Sequence, residues 1–494
     1  MPTYEVPRVT GGTEEVETYS RLVGFGTMIN YIIGTGVFSI PFAYYKAGWR
    51  LTTICVIIFA FLALVCVFYV VEVLARAEGV LALTDSGKPL LTESSSLVNS
   101  GPHAHPHAAR GDAEADEYSS AKAGSVAGRG RTESTLDAAG TASEADAAGY
   151  PRNRIGYRRF DFVAASRLFG GVRMQVFTQV VMALYCYGVL WSFVAVFASS
   201  ADTLFFKYAL SKDCSIYDDP SHSCQTGYYL WVTAFGIFVV IVSTRDVAEQ
   251  KWLQMIMTVY RFCAFCVLVI SAGVALKYPN TFDPESSSTS APYISHATEH
   301  VKWSGFGTAF TFSAVALNVH YNMPNVIQPI TPKRSLLGLT AAGISVAAFC
   351  YLLIGALCGM AFGSGVTPLI TLNWNSYTGR AGGWGEGHTL WWAYIVKLSV
   401  MLFPTLDMLT VYPLICIFTI TGLFAFFLEL IIPPMLLILS HNYMVSRWGK
   451  GSQVTPYSTI FSGRSVAYAV LTIGLLAFAF ATYVTIFPDQ AAEL

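Results

Sequence analysis

The run Asn30-Tyr31-Ile32-Ile33-Gly34-Thr35-Gly36-Val37-Phe38-Ser39-Ile40-Pro41 lies inside a segment, Leu22 to Tyr45, that carries no charge. The segment is about as long as one membrane crossing of ~20 residues. Two glycines flank a threonine at its middle, and a proline follows one turn later. This pattern predicts a helix that breaks inside the bilayer. A break frees carbonyls at the end of one half-helix and N–H groups at the start of the next, and lipid satisfies neither set. Discontinuous helices of this kind hold substrates and ions in secondary transporters. Glycine and proline also occur in membrane helices simply to ease packing. Asn30 ahead of the glycines and Pro41 behind them favour the break.

The surrounding chain supports a membrane setting. Of 494 residues, 54% are hydrophobic and 12% charged, which describes a polytopic membrane protein with one helical membrane domain. A net charge of -1 gives no basis for nucleic-acid binding. Residues 1 to 20 are polar and acidic and do not resemble a removable signal peptide, so the first span is expected to direct insertion.

Apolar runs place spans at about 22–45, 51–75, 174–200, 228–243, 252–276, 304–326, 336–361, 389–418, 419–440 and 465–487. The expected divisions are a cytoplasmic tail (1–21), spans 1 and 2 (22–77), a cytoplasmic loop (78–172), the rest of the transport domain (173–488) and a C-terminal tail (489–494). Within the loop, residues 82–158 are rich in Ser, Ala, Gly, His and acidic residues, and read as a disordered insert. Its alternating His103, His105 and His107 read as part of a solvated low-complexity run rather than a metal site.

Arginines from Arg76 to Arg173 put the insert loop, and with it the N-terminus, in the cytoplasm. The loop containing Cys214 and Cys224 then faces the opposite side. A disulfide is expected there if that side is oxidising, and two thiols otherwise. The count fails near the end: ten spans place the loop with Arg447, Lys450 and Arg464 outside, against the positive-inside bias. One further crossing near 389–440 would restore agreement, but that stretch holds only two.

The second half repeats the first. Gly24-Phe25-Gly26-Thr27 opens span 1 and Gly305-Phe306-Gly307-Thr308 opens span 6, in the opposite membrane direction. The pairing sets the first break against Val315 to Leu317, followed by Asn322 and Pro324. Two opposed broken helices define a five-plus-five inverted repeat. The fold class expected is therefore an all-α polytopic membrane helix bundle, an inverted-repeat transporter fold with broken spans 1 and 6.

Asn30 to Ala43, continuing to Ala47-Gly48-Trp49, resembles the first-span signature of the amino acid/auxin permease family, within the amino acid, polyamine and organocation superfamily. It is also similar to the neutral amino acid transporter branch, including lysosomal members. Glu72 to Glu78 and Leu409-Thr410-Val411-Tyr412-Pro413-Leu414 are similar to further family patterns. The resemblance covers the chain except the insert and one segment: Phe418 runs directly into Thr419-Ile420-Thr421-Gly422, where the family has a basic loop and a ninth span.

The resemblance implies eleven spans and an amino acid held between the broken helices. Its carboxylate would meet N–H groups around Thr35, Gly36 and Val37, and Gly34 belongs to the same substrate-binding set. Its ammonium would meet carbonyls near Ile32 and Ile33 and those of Ser313 and Ala314. Phe312, Phe38 and His320 are candidates to line the pocket or to serve as ordinary packing. In the sodium-coupled branch, ligands match Asn30 and Thr410. Asp407, one turn before Thr410 on the same face, is an intramembrane acid and a candidate for sodium or proton; pairing with Lys397 is the alternative. Glu72 and Glu429 read as structural, near span ends. No cofactor is expected beyond a coupling ion, sodium or proton.

The reading is secondary active transport of a neutral amino acid by alternating access, in the plasma membrane or a vacuolar or lysosomal membrane. The partners expected are the amino acid substrate and the lipid bilayer. The rivals are an amino-acid-binding receptor or sensor without flux and an inactive truncated isoform. An enzyme is not expected, because no zinc-ligand spacing or nucleophile elbow falls in the spans.

Overall fold

The computed structural model describes residues 18–33, 36–85, 153–156, 161–212, 214, 216, 221–243, 251–282, 300–333, 335–381, 390–415 and 426–486. Among these the chain is helical, with β-pairing limited to isolated bridges such as Tyr19 with Ile330 and Phe282 with Tyr377. Six helices are long and apolar enough to cross a membrane, seven when the bent pair at the N-terminus is taken as one. The chain is thus an integral, multi-pass helical membrane protein.

Span 1 is two helices, α1 (Arg21–Ile32) and α2 (Gly36–Ala47), bent by 49° at the break. Ser20 caps α1 by accepting from Val23 N, and Ile33 ends it with non-helical dihedrals. Gly48, at φ 85°, turns the chain into α3 (Trp49–Asp85). The later helices are α4 (Phe162–Ala209), α5 (His222–Ser243), α6 (Lys251–Lys277), α7 (Phe306–Ala316), α8 (Met323–Ile327), α9 (Leu336–Phe362), α10 (Trp391–Ile415), α11 (Ile432–Trp448) and α12 (Arg464–Ile486).

Span 6 is the pair α7 and α8. The helix ends at Ala316, and residues 317–322 include a short 3-10 turn at His320–Asn322. The second break therefore lies slightly later than Val315 to Leu317, because Val315 and Ala316 are still helical.

The two broken spans run antiparallel and are pinned at both ends. At one end Tyr19 pairs with Ile330, through Tyr19 N to Pro329 O (3.1 Å) and Thr331 N to Tyr19 O (3.0 Å). At the other, Lys302 N donates to Ala47 O (2.8 Å) and Arg50 N to His300 O (3.1 Å). The repeated Gly-Phe-Gly-Thr motif gains a physical reason here. A Cβ on Gly24 would stand 2.6 Å from the Ile330 side chain, and one on Gly305 would strike the Lys46 carbonyl. Each repeat opens with a glycine because the far end of the other broken span lies against it.

The basic loops gather on one face. Arg76 of α3 is fully buried and binds Glu72 Oε2 (2.6 Å), His441 Nε2 (2.8 Å), Ser440 Oγ (3.1 Å) and Gln453 O (2.9 Å). Glu72 also accepts from Ser462 and Ser458. Asn153 Nδ2 donates to Ser452 O and Val454 O, so residues 153–156, expected to be disordered, are docked instead. Residues 82–85, also expected to be disordered, form the end of α3 instead, and residues 86–152 and 157–158 of the insert lie outside the described residues. The opposite face carries the Cys214–Cys224 disulfide and a ring cluster of Phe282, Phe362, Trp374 and Tyr377.

The loop 449–463 thus lies on the face of Arg76, as the positive-inside bias requires and contrary to a ten-span count. Helix α10 starts on the other face, where Leu390 N meets Thr378 O. It crosses toward the face on which α11 ends, so the two consecutive helices run in the same direction. Ile415 and Phe426, where the description stops and resumes, are too close in sequence for a returning span of ~20 residues.

Candidate substrate site at the broken spans

The four last carbonyls of an α-helix lack partners within it. At the end of α1, two of them are met by side chains from neighbouring helices. Arg261 Nη1 of α6 donates to Asn30 O (3.0 Å) and to Asn30 Oδ1 (3.0 Å). The Tyr351 hydroxyl of α9 stands 2.6 Å from Ile32 O and 3.0 Å from Ala316 O, sharing one proton between carbonyls of both broken spans. Tyr351 and Arg261 were not legible as site residues, since a lone polar residue in an apolar span does not name its partner.

The two breaks touch. A Cβ on Gly36 would lie 2.8 Å from Ala316 Cβ and 3.0 Å from its Cα, so only glycine permits this approach. Val37, Ser313 and Ala314 are buried, and Ser313 Oγ donates back to Ala309 O (2.7 Å). Ile33, also buried, closes α1 by donating its N–H to Ile29 O (2.8 Å). Gly34 and Thr35 lie outside the described residues. Phe38 is buried edge-on to Phe403 of α10 at 5.0 Å. Phe312 packs on the cluster of Ala43, Ala47 and Leu51. Asp407 and Thr410 follow Phe403 along α10, and their side chains lie outside the described residues.

Beside the second break, several buried polar atoms have no hydrogen-bonding partner among the described residues: Asn318 Oδ1 and Nδ2, His320 Nδ1 and both carboxyl oxygens of Glu429. His320 Nε2 is held by Ala63 O at 2.9 Å. Glu429 is the third residue of the candidate span Phe427–Trp448, at the start of the described part of that helix. It sits in a π-helical turn, Phe427–Ile431, whose helix continues to Trp448, and its side chain is fully buried. Unpartnered buried polar atoms are rare and concentrate where a protein handles a ligand, water or ion, and π-turns are frequent at functional sites. A separate cleft of about 750 Å³ opens between α4, α5 and α10, lined by Phe197, Leu204, Trp231, Tyr394 and Leu398. No charged residue lines it, so it offers a zwitterion no ionic partner.

Broken spans, antiparallel and joined through their freed carbonyls, are a transporter's geometry, and comparison with known proteins agrees. The transmembrane amino acid transporter protein family matches residues 17–88 and 150–407. The chain belongs to this family. Its members are transporters, not enzymes. It is similar to the transmembrane protein 104 homolog of Caenorhabditis elegans, 21% identical over 415 residues, covering 81% of this chain and 67% of that one. It is also similar to transmembrane protein 104 of Homo sapiens, 22% identical over 334 residues, covering 66% of this chain and 60% of the human protein. With the Drosophila melanogaster homolog it shares 36% identity over 75 residues, 15% of each chain.

Proposed function

We propose that this family member is a secondary active transporter of a neutral amino acid, coupled to a cation and working by alternating access. The observation that carries the reading is the junction of the two breaks, where Tyr351 holds carbonyls of both half-helices. The substrate carboxylate would be met by N–H groups of the first turn of α2, at Gly36 and Val37, where the helix dipole favours an anion. The ammonium would displace the Tyr351 hydroxyl from Ile32 O and Ala316 O. That assignment moves the second carbonyl from Ser313 and Ala314 to Ala316, the last residue of α7.

With Gly36 against Ala316 the cradle is closed, so loading needs the half-helices to part while their pinned ends hold register. Backbone recognition of the zwitterion leaves selectivity among side chains to the shape of the opened space. The disulfide on the face opposite the basic loops fits a membrane whose far side is oxidising, as at the plasma membrane or a vacuolar or lysosomal membrane.

The test is a panel of radiolabelled amino acids in proteoliposomes. Saturable counterflow of a neutral amino acid supports transport. Binding without counterflow supports a receptor instead. A third outcome, neither binding nor flux, supports an inactive isoform. Sequencing transcripts across Phe418 to Thr419 examines that case directly, since an additional span there would separate α10 from α11.

A further inference from the structure

The Arg261 guanidinium lies where the end of α1 favours a cation. Asn30 O belongs to the carbonyl-terminated, partially negative end of a half-helix. Asn30 Oδ1 converges on the same point, and Arg261 Nη1 is 3.0 Å from each. The arginine is 5% exposed, so its charge is held inside the bundle rather than in solvent. A guanidinium is charged at every accessible pH and has donors but no acceptor.

A sodium ion needs oxygen ligands in direct contact, and here both Asn30 oxygens already accept from a fixed cation. A second cation on the same oxygens would be held against the guanidinium charge inside the bundle, where like charges repel more strongly than in water. The residues present therefore do not fit a sodium ion at Asn30. We infer that Arg261 is a tethered cation that holds the Asn30 end of the first half-helix in place of a coupling sodium, so that the protein works independently of sodium. The flux arm of this inference rests on the transport reading; the binding arm does not.

Both arms use the full chain. In detergent, the wild type and Arg261→Lys are expected to melt at the same temperature in sodium chloride as in choline chloride of equal strength. Arg261→Ala is expected to melt lower in choline and to recover with sodium in a saturable, sodium-specific way. Saturable sodium-specific stabilisation of the wild type would overturn the inference, and so would an Arg261→Ala variant as stable and as indifferent to sodium as the wild type. If Arg261→Ala does not fold, the response of the wild type decides. In proteoliposomes, replacing sodium by N-methylglucamine is expected to change counterflow of a neutral amino acid by less than about twofold. A tenfold loss would overturn it. If no amino acid is transported at all, the transport reading fails while the melting comparison still judges Arg261.

Discussion

The Tyr351 hydroxyl stands 2.6 Å from the Ile32 carbonyl, at the point where the first half-helix of span 1 ends. The same oxygen lies 3.0 Å from Ala316 O, at the end of the first half-helix of span 6. One side chain on a continuous helix therefore ties the two interruptions together. Tyr351→Phe would keep the ring and leave two buried carbonyls without this donor, at a cost of about 1–3 kcal/mol. The expected outcome is a lower melting temperature with the ring packing retained. An unchanged melting temperature would show that other groups already satisfy both carbonyls.

Arg76 and Glu72 form a buried ion pair that also fastens the loop 449–463 to α3. Breaking one partner of such a pair strands the other charge, typically at 3–5 kcal/mol. Arg76→Met is expected to destabilise by about that amount, while Glu72→Gln combined with Arg76→Met recovers a large part of it. A double-mutant cycle by chemical denaturation measures the coupling. Simple additivity of the two changes would mean that the pair does not act as a unit.

Among the described residues, neither buried carboxyl oxygen of Glu429 has a hydrogen-bonding partner. Replacing an unpartnered polar group by an apolar one of similar shape is neutral or stabilising, whereas a truly bonded carboxyl would lose about 1–3 kcal/mol. Glu429→Met is therefore expected to melt at or above the wild-type temperature. A fall of several degrees would reveal a partner for the carboxyl.

Much of this arrangement was legible in the sequence. The first break could be read because Gly34, Gly36 and Pro41 are residue types that interrupt helices, and the second because a four-residue motif set it in register. Asn153 was missed because composition averages over a window, and one amide docked on Ser452 and Val454 does not change that average. Arg261 and Tyr351 act through partners that lie at least 231 and 35 residues away in sequence, respectively. Only folding brings such pairs together.

Lys333 follows the second broken span and donates to Ile327 O and Gln328 O. Burial draws its ammonium down to about 8, with Glu78 pulling it back up. The folded value lies below the roughly 10.4 of an unfolded lysine, so the unfolded chain binds more protons between the two values. Stability then rises with pH from about 8 to about 10 and is flat below. Because Lys333 is only partly buried, the effect is small. It is expected as a growing gap in melting temperature between wild type and Lys333→Gln as pH increases over that range. A constant gap would contradict it.

The proposed substrate site lies where Gly36 meets Ala316. Gly36→Leu would fill that space, and its Cβ alone would already stand 2.8 Å from Ala316 Cβ. The most direct measurement is counterflow of a radiolabelled neutral amino acid into proteoliposomes carrying equal amounts of wild type and Gly36→Leu. Saturable counterflow in the wild type and its loss in the variant, with both proteins monodisperse, is the predicted result. Equal, saturable counterflow in the two would contradict the account.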